Sequence, residues 1–130
     1  MTIRQISTSA AIAPGASYSQ AMVVGNLVAT GGQVGRDPLN GELGADFAAQ
    51  VRYALQNLSA VLEAAGTDIS HVFKTNAFIT DIADFAQFDE IYQEFFSQPY
   101  PARSTIGIAL AGGLSFEIEA WAVVPEAVES

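Results

Sequence analysis

The sequence contains no cysteine and one histidine, His71, in 130 residues. The first absence excludes disulfides, thiolate metal sites and cysteine nucleophiles. The second argues against zinc: there is no second imidazole, and His71 has no acidic partner at the spacing of metal ligands. His71 reads as a structural or surface residue. Basic side chains are also scarce. Arg4, Arg36, Arg52, Lys74 and Arg103 face 14 acidic residues, for a formal net charge of −9. Nucleic-acid affinity rests on clustered Lys and Arg that displace counterions, and five scattered cations form no basic stripe. No nucleic-acid partner is expected. No apolar run reaches the roughly 20 residues of a membrane span, and the N-terminal stretch Met-Thr-Ile-Arg-Gln-Ile-Ser-Thr-Ser lacks the apolar region of a signal peptide. The nucleophile elbow Gly-x-Ser-x-Gly is missing, as is the Gly-Lys-Ser/Thr of a phosphate loop. These absences lead us to expect a soluble cytoplasmic protein with no membrane partner.

What remains is apolar: half the residues are hydrophobic and 15% are charged. A chain of this length fits one domain, residues 1–130, which buries about two-thirds of the surface its unfolded form exposes. So low a charged fraction suggests additional burial between subunits.

Ile3–Ile6 is a short strand candidate, and residues 11–20, rich in Ala, Pro, Gly and Ser, read as a loop. Met22–Val24 and Leu27–Thr30 flank Gly25-Asn26, the signature of a hairpin. Two turn signals, Asp37-Pro38 and Asn40-Gly41, follow. Asp46 then stands as N-cap before Phe47, Val51, Ala54, Leu55, Leu58, Val61, Leu62 and Ala65 at helical spacing, with Gly66 as the terminator. Val72–Thr80 has strand composition. A second helix is predicted from near Asp84, with Gln87 placed for a capping box and Phe85, Phe88, Ile91, Tyr92, Phe95 and Phe96 as its buried stripe. Pro99 and Pro101 end it. Ala102–Ala109 and Phe116–Val124 are the last strands, with Gly112-Gly113 in the turn between them. The resulting order, β-β-β-α-β-α-β-β, predicts an α+β layer pair with two helices on one face of a mixed sheet. The other face then has apolar residues and no helix to meet, so self-association is expected.

Arg103 is a charge in an apolar strand. It belongs either to a structural ion pair or subunit contact, or to a ligand carboxylate, whose shape its planar fork matches. Glu117 and Glu119, two apart in the final strand, share one face with Trp121, while Phe116, Ile118, Ala120 and Ala122 take the other. Two carboxylates on a partly apolar face suit either solvation or the activation of a water. Gly31-Gly32-Gln33 permits close approach of a ligand or a backbone. Tyr18, in the preceding loop, reads as a surface residue.

Taken together, these motifs resemble the RidA/YjgF family. The resemblance is carried by Tyr18-Ser19-Gln20-Ala21, Val24-Gly25-Asn26-Leu27, Gly31-Gly32-Gln33, Val61-Leu62-Glu63-Ala64-Ala65-Gly66, Lys74-Thr75, Asp89-Glu90-Ile91-Tyr92, Phe95-Phe96, Pro101-Ala102-Arg103-Ser104 and Glu117-Ile118-Glu119-Ala120. It spans nearly the whole chain. It implies a chorismate-mutase-like fold, a mixed and mostly antiparallel six-stranded sheet with two helices on one face, assembled as a homotrimer with ligand clefts between subunits. It implies hydrolysis of 2-imino or 2-enamino acids, such as 2-iminobutanoate and 2-aminoacrylate, to 2-oxo acids and ammonia, with neither metal nor organic cofactor. On this resemblance Arg103 holds the substrate carboxylate, Glu117 orients or activates water, Tyr18 lines the cleft mouth, and the backbone around Gly31 and Thr105 lines the cleft. The alternative is a non-catalytic protein that binds a metabolite or partner in the same cleft. Three residues depart from the family pattern: Gly31 where serine is usual, Thr105 where cysteine is common, and Asp89 where asparagine is common. The glycine is expected to remove a hydroxyl contact and open space.

Overall fold

A computed structural model describes residues 2–125. The elements are β1 (Ile3–Ile6), β2 (Ala21–Val24), β3 (Leu27–Thr30), β4 (Gln33–Val34), α1 (Phe47–Ala64), β5 (Val72–Ile79), α2 (Phe85–Phe95), β6 (Ala102–Gly107) and β7 (Phe116–Val123), with 3-10 turns at Ile69–His71 and Ile82–Asp84. The sheet runs β1-β2-β3-β7-β5-β6, and β4 pairs with β7 off this path. Among the described strands only β5 and β6 pair in parallel. The six expected strands are present, and the two-residue β4 is a seventh, too short to register as a period.

β4 exists because the ladder between β3 and β7 breaks. Pairing stops at Ala29 opposite Trp121, and the Ala120 N–H then donates to the Thr30 side-chain hydroxyl at 3.0 Å. The chain rejoins β7 with Gln33 opposite Ile118 and Val34 opposite Glu117. Gly31-Gly32 is the unpaired stretch between, and it becomes one wall of the candidate site.

α1 forms as the spacing predicts. The Asp46 carboxylate accepts the Ala49 N–H at 2.8 Å, Val51, Ala54, Leu55, Leu58, Val61 and Leu62 are buried, and Gly66 takes φ 88° past the C-terminus. α2 corrects two expectations. Asp84 makes no side-chain cap, so the capping box does not form. Instead the Asp81 carboxylate caps the Ile82–Asp84 turn through the Ala83 N–H, and the Phe85 N–H donates to the Ile82 carbonyl. The Asp84 N–H, which Gln87 would have served in a capping box, donates instead to the Asp81 carbonyl at 3.0 Å. Phe85 also lies outside the buried stripe, 39% exposed, whereas Phe88, Ile91, Tyr92 and Phe96 are buried.

Both helices cover one face of the sheet. Phe116 on β7 meets Phe88 of α2 at 5.1 Å between ring centroids and Phe47 of α1 at 6.2 Å, and Tyr92 stacks on Phe96 at 4.3 Å. The other face has no helix. Met22 and Leu27 are exposed there, as is Ile106 on the edge strand β6. The apolar surface that the element order predicted is therefore present. Among the described residues no helix is long and apolar enough to cross a membrane.

Candidate active site

β7 lies in the middle of the sheet and alternates strictly. Phe116, Ile118, Ala120 and Ala122 are buried toward the helices, while Glu117, Glu119, Trp121 and Val123 are half-buried on the open face. The expected sharing of one face by both glutamates and Trp121 is what the structure shows. Glu119 accepts a hydrogen bond from Asn76 Nδ2 at 3.2 Å. Glu117 is held differently. Its carboxyl group lies against Gly32: a Cβ built on that glycine would stand 2.7 Å from the Glu117 carboxyl carbon. Only a residue without a side chain lets the carboxylate occupy this position. Burial pushes the Glu117 carboxyl above the usual carboxylate range, and the charge of Glu119 pushes it further the same way. A carboxylate so raised is a better proton acceptor than an exposed one.

Gly31 and Tyr18 belong to the same cluster. The Gly31 N–H donates to the Gln20 carbonyl at 2.8 Å. A Cβ at Gly31 would come within 2.9 Å of the Ser19 carbonyl oxygen and 3.5 Å of Tyr18 Cδ2. The expectation that Gly31 opens space is therefore corrected: the loop at residues 18–20 closes over it, and the vacancy a serine would fill is taken by backbone. Tyr18 itself is half exposed, and its hydroxyl accepts the Gly15 N–H at 3.3 Å.

This loop is fixed by buried amide side chains. Gln20 Oε1 accepts the Thr8 N–H at 2.7 Å, and its Nε2 donates to the Thr8 and Ile12 carbonyls. Asn57, fully buried on α1, accepts the Ile12 N–H at 3.0 Å and donates to the Val34 and Arg36 carbonyls. These amides were not singled out in the sequence, where an Asn inside an amphipathic helix carries no signal beyond its apolar neighbours.

Arg103 and Thr105 lie elsewhere. They are on β6, paired with Thr75 and Ala77 of β5, whose side chains are buried under the helices. Arg103 therefore points to the helix side. Its guanidinium carbon lies 4.6 Å from the ring centroid of Tyr92, 5.0 Å from Phe88 and 5.5 Å from Phe85. Its Nη1 is 3.0 Å from Asp89 Oδ1. The Tyr92 hydroxyl is bonded to Thr75 Oγ1 at 2.9 Å, and burial raises its pKa. Of the two outcomes open from the sequence, an ion pair or a ligand carboxylate, the chain by itself supplies the ion pair. These aromatic contacts and the ion pair together fix the orientation of the fork.

Five residues were singled out for the site. The structure brings Tyr18, Gly31 and Glu117 together on the open face, and Arg103 and Thr105 together on the helix side of the edge strand. It does not bring the two groups together within one chain. The aromatic bed of Arg103 and the contact of Gly32 with Glu117 do not emerge as site features from the sequence. Phe85, Phe88, Asp89 and Tyr92 recur on one face over two helical turns, and that spacing is the signal for the aromatic bed.

His71 sits in an exposed turn, with Nδ1 2.9 Å from Asp68 Oδ1, and Asp68 also accepts from the Ser70 N–H and hydroxyl. The arrangement is a turn cap, since the Ser70 hydroxyl bonds to the carboxylate that also holds the imidazole.

A two-layer α+β fold thus carries a half-buried carboxylate at a glycine arch and an oriented arginine at the sheet edge. The chain belongs to the RidA/YjgF family: the family model described as endoribonuclease L-PSP matches residues 8–124. It is 44% identical over 120 residues to the RutC family protein y4sK of Sinorhizobium fredii, covering 91% of this chain and 95% of that protein. It is 40% identical over 126 residues to the 2-iminobutanoate/2-iminopropanoate deaminase of Escherichia coli K12, covering 94% and 96%. Among solved structures, RidA from an Antarctic Psychrobacter species superposes with a TM-score of 0.90 at 40% identity, covering 92% of this chain and 98% of that one.

Proposed function

We propose that the protein hydrolyses 2-imino and 2-enamino acids to 2-oxo acids and ammonia, at a site shared between neighbouring copies in a trimer. The observation that carries this reading is the separation of Arg103 from Glu117. A carboxylate-matching fork and a water-activating carboxylate point to opposite sides of one sheet, so a single chain cannot apply both to one small substrate. The apolar open face and the edge strand β6 are the surfaces through which a second copy would complete the site. The deaminase name of the E. coli relative supports the choice of chemistry.

The steps need only groups present in the chain. Arg103 binds the carboxylate of the imino acid through a charge-assisted fork and fixes its position. An enamine first takes a proton from solvent at its terminal carbon, and an imine takes one at nitrogen, so both become the iminium. Glu117 accepts a proton from water as the oxygen adds to the C=N carbon, and the C=N electron pair moves to nitrogen. The same carboxyl then returns the proton to the amine nitrogen. The C–N bond then breaks with its electron pair leaving on ammonia, the hydroxyl O–H pair forms the C=O bond, and Glu117 takes the hydroxyl proton. Protonated imines are already electrophilic, so positioning and modest proton transfer supply the acceleration. A nucleic-acid substrate fits poorly with a formal net charge of −9 and five basic residues.

The test is to generate 2-iminobutanoate and 2-aminoacrylate in situ with a threonine/serine dehydratase and to follow loss of the imine. The wild-type protein is expected to accelerate it, and Arg103→Ala to lose at least about a hundredfold in kcat/KM, the scale of losing a charge-assisted anchor. No acceleration, with 2-oxo acid binding retained, would leave a binding protein. Equal rates in Arg103→Ala would remove the assigned role of that residue.

A further inference from the structure

Asp89 puts a carboxylate where the substrate carboxylate is proposed to bind. Its Oδ1 lies 3.0 Å from Arg103 Nη1, and both side chains retain access to solvent, 37% for Asp89 and 19% for Arg103. The rings of Tyr92, Phe88 and Phe85 pack close to the guanidinium, with centroids 4.6, 5.0 and 5.5 Å from its carbon. What remains open is a cleft of about 320 Å³ lined by Asp89, Tyr92, Gln93, Tyr100, Pro101 and Arg103. A ligand carboxylate approaching Arg103 through this cleft therefore meets a cation whose charge is already offset, with the offsetting anion beside it.

We propose that Asp89 is the specificity-determining residue of the site, a resident counter-ion that weakens carboxylate binding at Arg103 and rejects ligands carrying a second carboxylate. The inference rests on the deaminase reading for the role of Arg103. It assigns the substrate class: 2-imino monocarboxylic acids whose side chains are neutral or cationic, with dicarboxylic imino acids excluded. The physical cause is simple. An entering carboxylate must share the fork with Asp89 or displace it, and at contact distance like charges repel. A ligand with a second carboxylate adds a further, longer-range repulsion to this one. Asparagine has the same shape without the charge.

The test uses two unreactive probes on the assembled protein, 2-oxobutanoate with one carboxylate and 2-oxoglutarate with two, titrated by calorimetry into wild type, Asp89→Asn, Arg103→Ala and the double variant. Asp89→Asn is expected to tighten 2-oxobutanoate about fivefold, the scale of removing one partly exposed charge, and 2-oxoglutarate by more. In turnover, KM for 2-iminobutanoate falls by a similar factor while kcat moves by less than about twofold. Arg103→Ala loses both probes, and the double variant recovers neither, which shows that Asp89 acts through Arg103. Unchanged or weaker probe binding in a folded Asp89→Asn protein overturns the proposal, even if the wild type turns over imines. Tighter probe binding without turnover by any variant upholds it and removes the deaminase reading instead.

Discussion

Arg103 and Glu117 leave the same sheet in opposite directions. Arg103 on β6 is beside Thr75 of β5 and meets Asp89 and Tyr92 of α2, while Glu117 on β7 is opposite Phe78 and lies against Gly32 on the face without helices. Strand β5 separates them. With strands ~4.8 Å apart and ~3.3 Å of rise per residue, their Cα atoms stand roughly 14 Å from one another. Each is well prepared for its own task, one oriented by aromatic rings and the other raised in basicity by burial. Neither can reach the other's partner within one chain.

The raised pKa of Glu117 has a consequence for stability. A carboxyl whose native pKa lies above its unfolded value stabilises the fold most below the ordinary value of 4.5, and this contribution is lost as pH rises through the native pKa. Glu117→Gln removes the buried charge. Its melting temperature is expected to exceed that of wild type at pH 7.5, with the gain shrinking toward pH 4. Thermal melts of both proteins at the two pH values measure it. In the same variant the loss of the proton acceptor should lower kcat by about a hundredfold or more.

Gly32→Ala probes the arch directly. The added methyl group meets the flexible end of Glu117, so the carboxylate moves and the backbone stays. Turnover should fall at least about tenfold through kcat, since misplacing a reacting group is costly even when it remains present. The melting temperature should change by no more than a few degrees, the signature of a site defect in an intact fold. Steady-state kinetics alongside a thermal melt separate the two effects.

Asn57→Leu tests the amide scaffold. Asn57 satisfies the Ile12 N–H and the Val34 and Arg36 carbonyls from a fully buried position. An apolar replacement leaves those groups without partners, at a cost of about 2–4 kcal/mol. Urea denaturation should report a fall of that size.

Much of this was legible beforehand. The period of α1 and its Asp46 cap, the alternation of β7 and the Gly25-Asn26 hairpin all follow from local rules, and local geometry obeyed them. α2 departed where two capping solutions competed: Asp81 and a 3-10 turn took the donors that Gln87 was placed to serve. β4 stayed hidden because two residues carry no periodicity. The side to which Arg103 points follows from its register with Thr75, a long-range pairing between β5 and β6 that one strand alone does not reveal. The closure of Ser19 over Gly31 is likewise tertiary, so a missing side chain there looked like open space.

The most direct measurement of the shared site is subunit complementation. Arg103→Ala and Glu117→Gln proteins are each expected to be nearly inactive as pure assemblies. Unfolded together in equal amounts and refolded, they form mixed assemblies in which some sites receive Arg103 from one copy and Glu117 from another. Random mixing then restores about a quarter of wild-type imine hydrolysis, as expected for sites built from two neighbouring copies. If the mixed assembly is no more active than the two variants alone, the two residues do not meet across a subunit boundary and the account is contradicted.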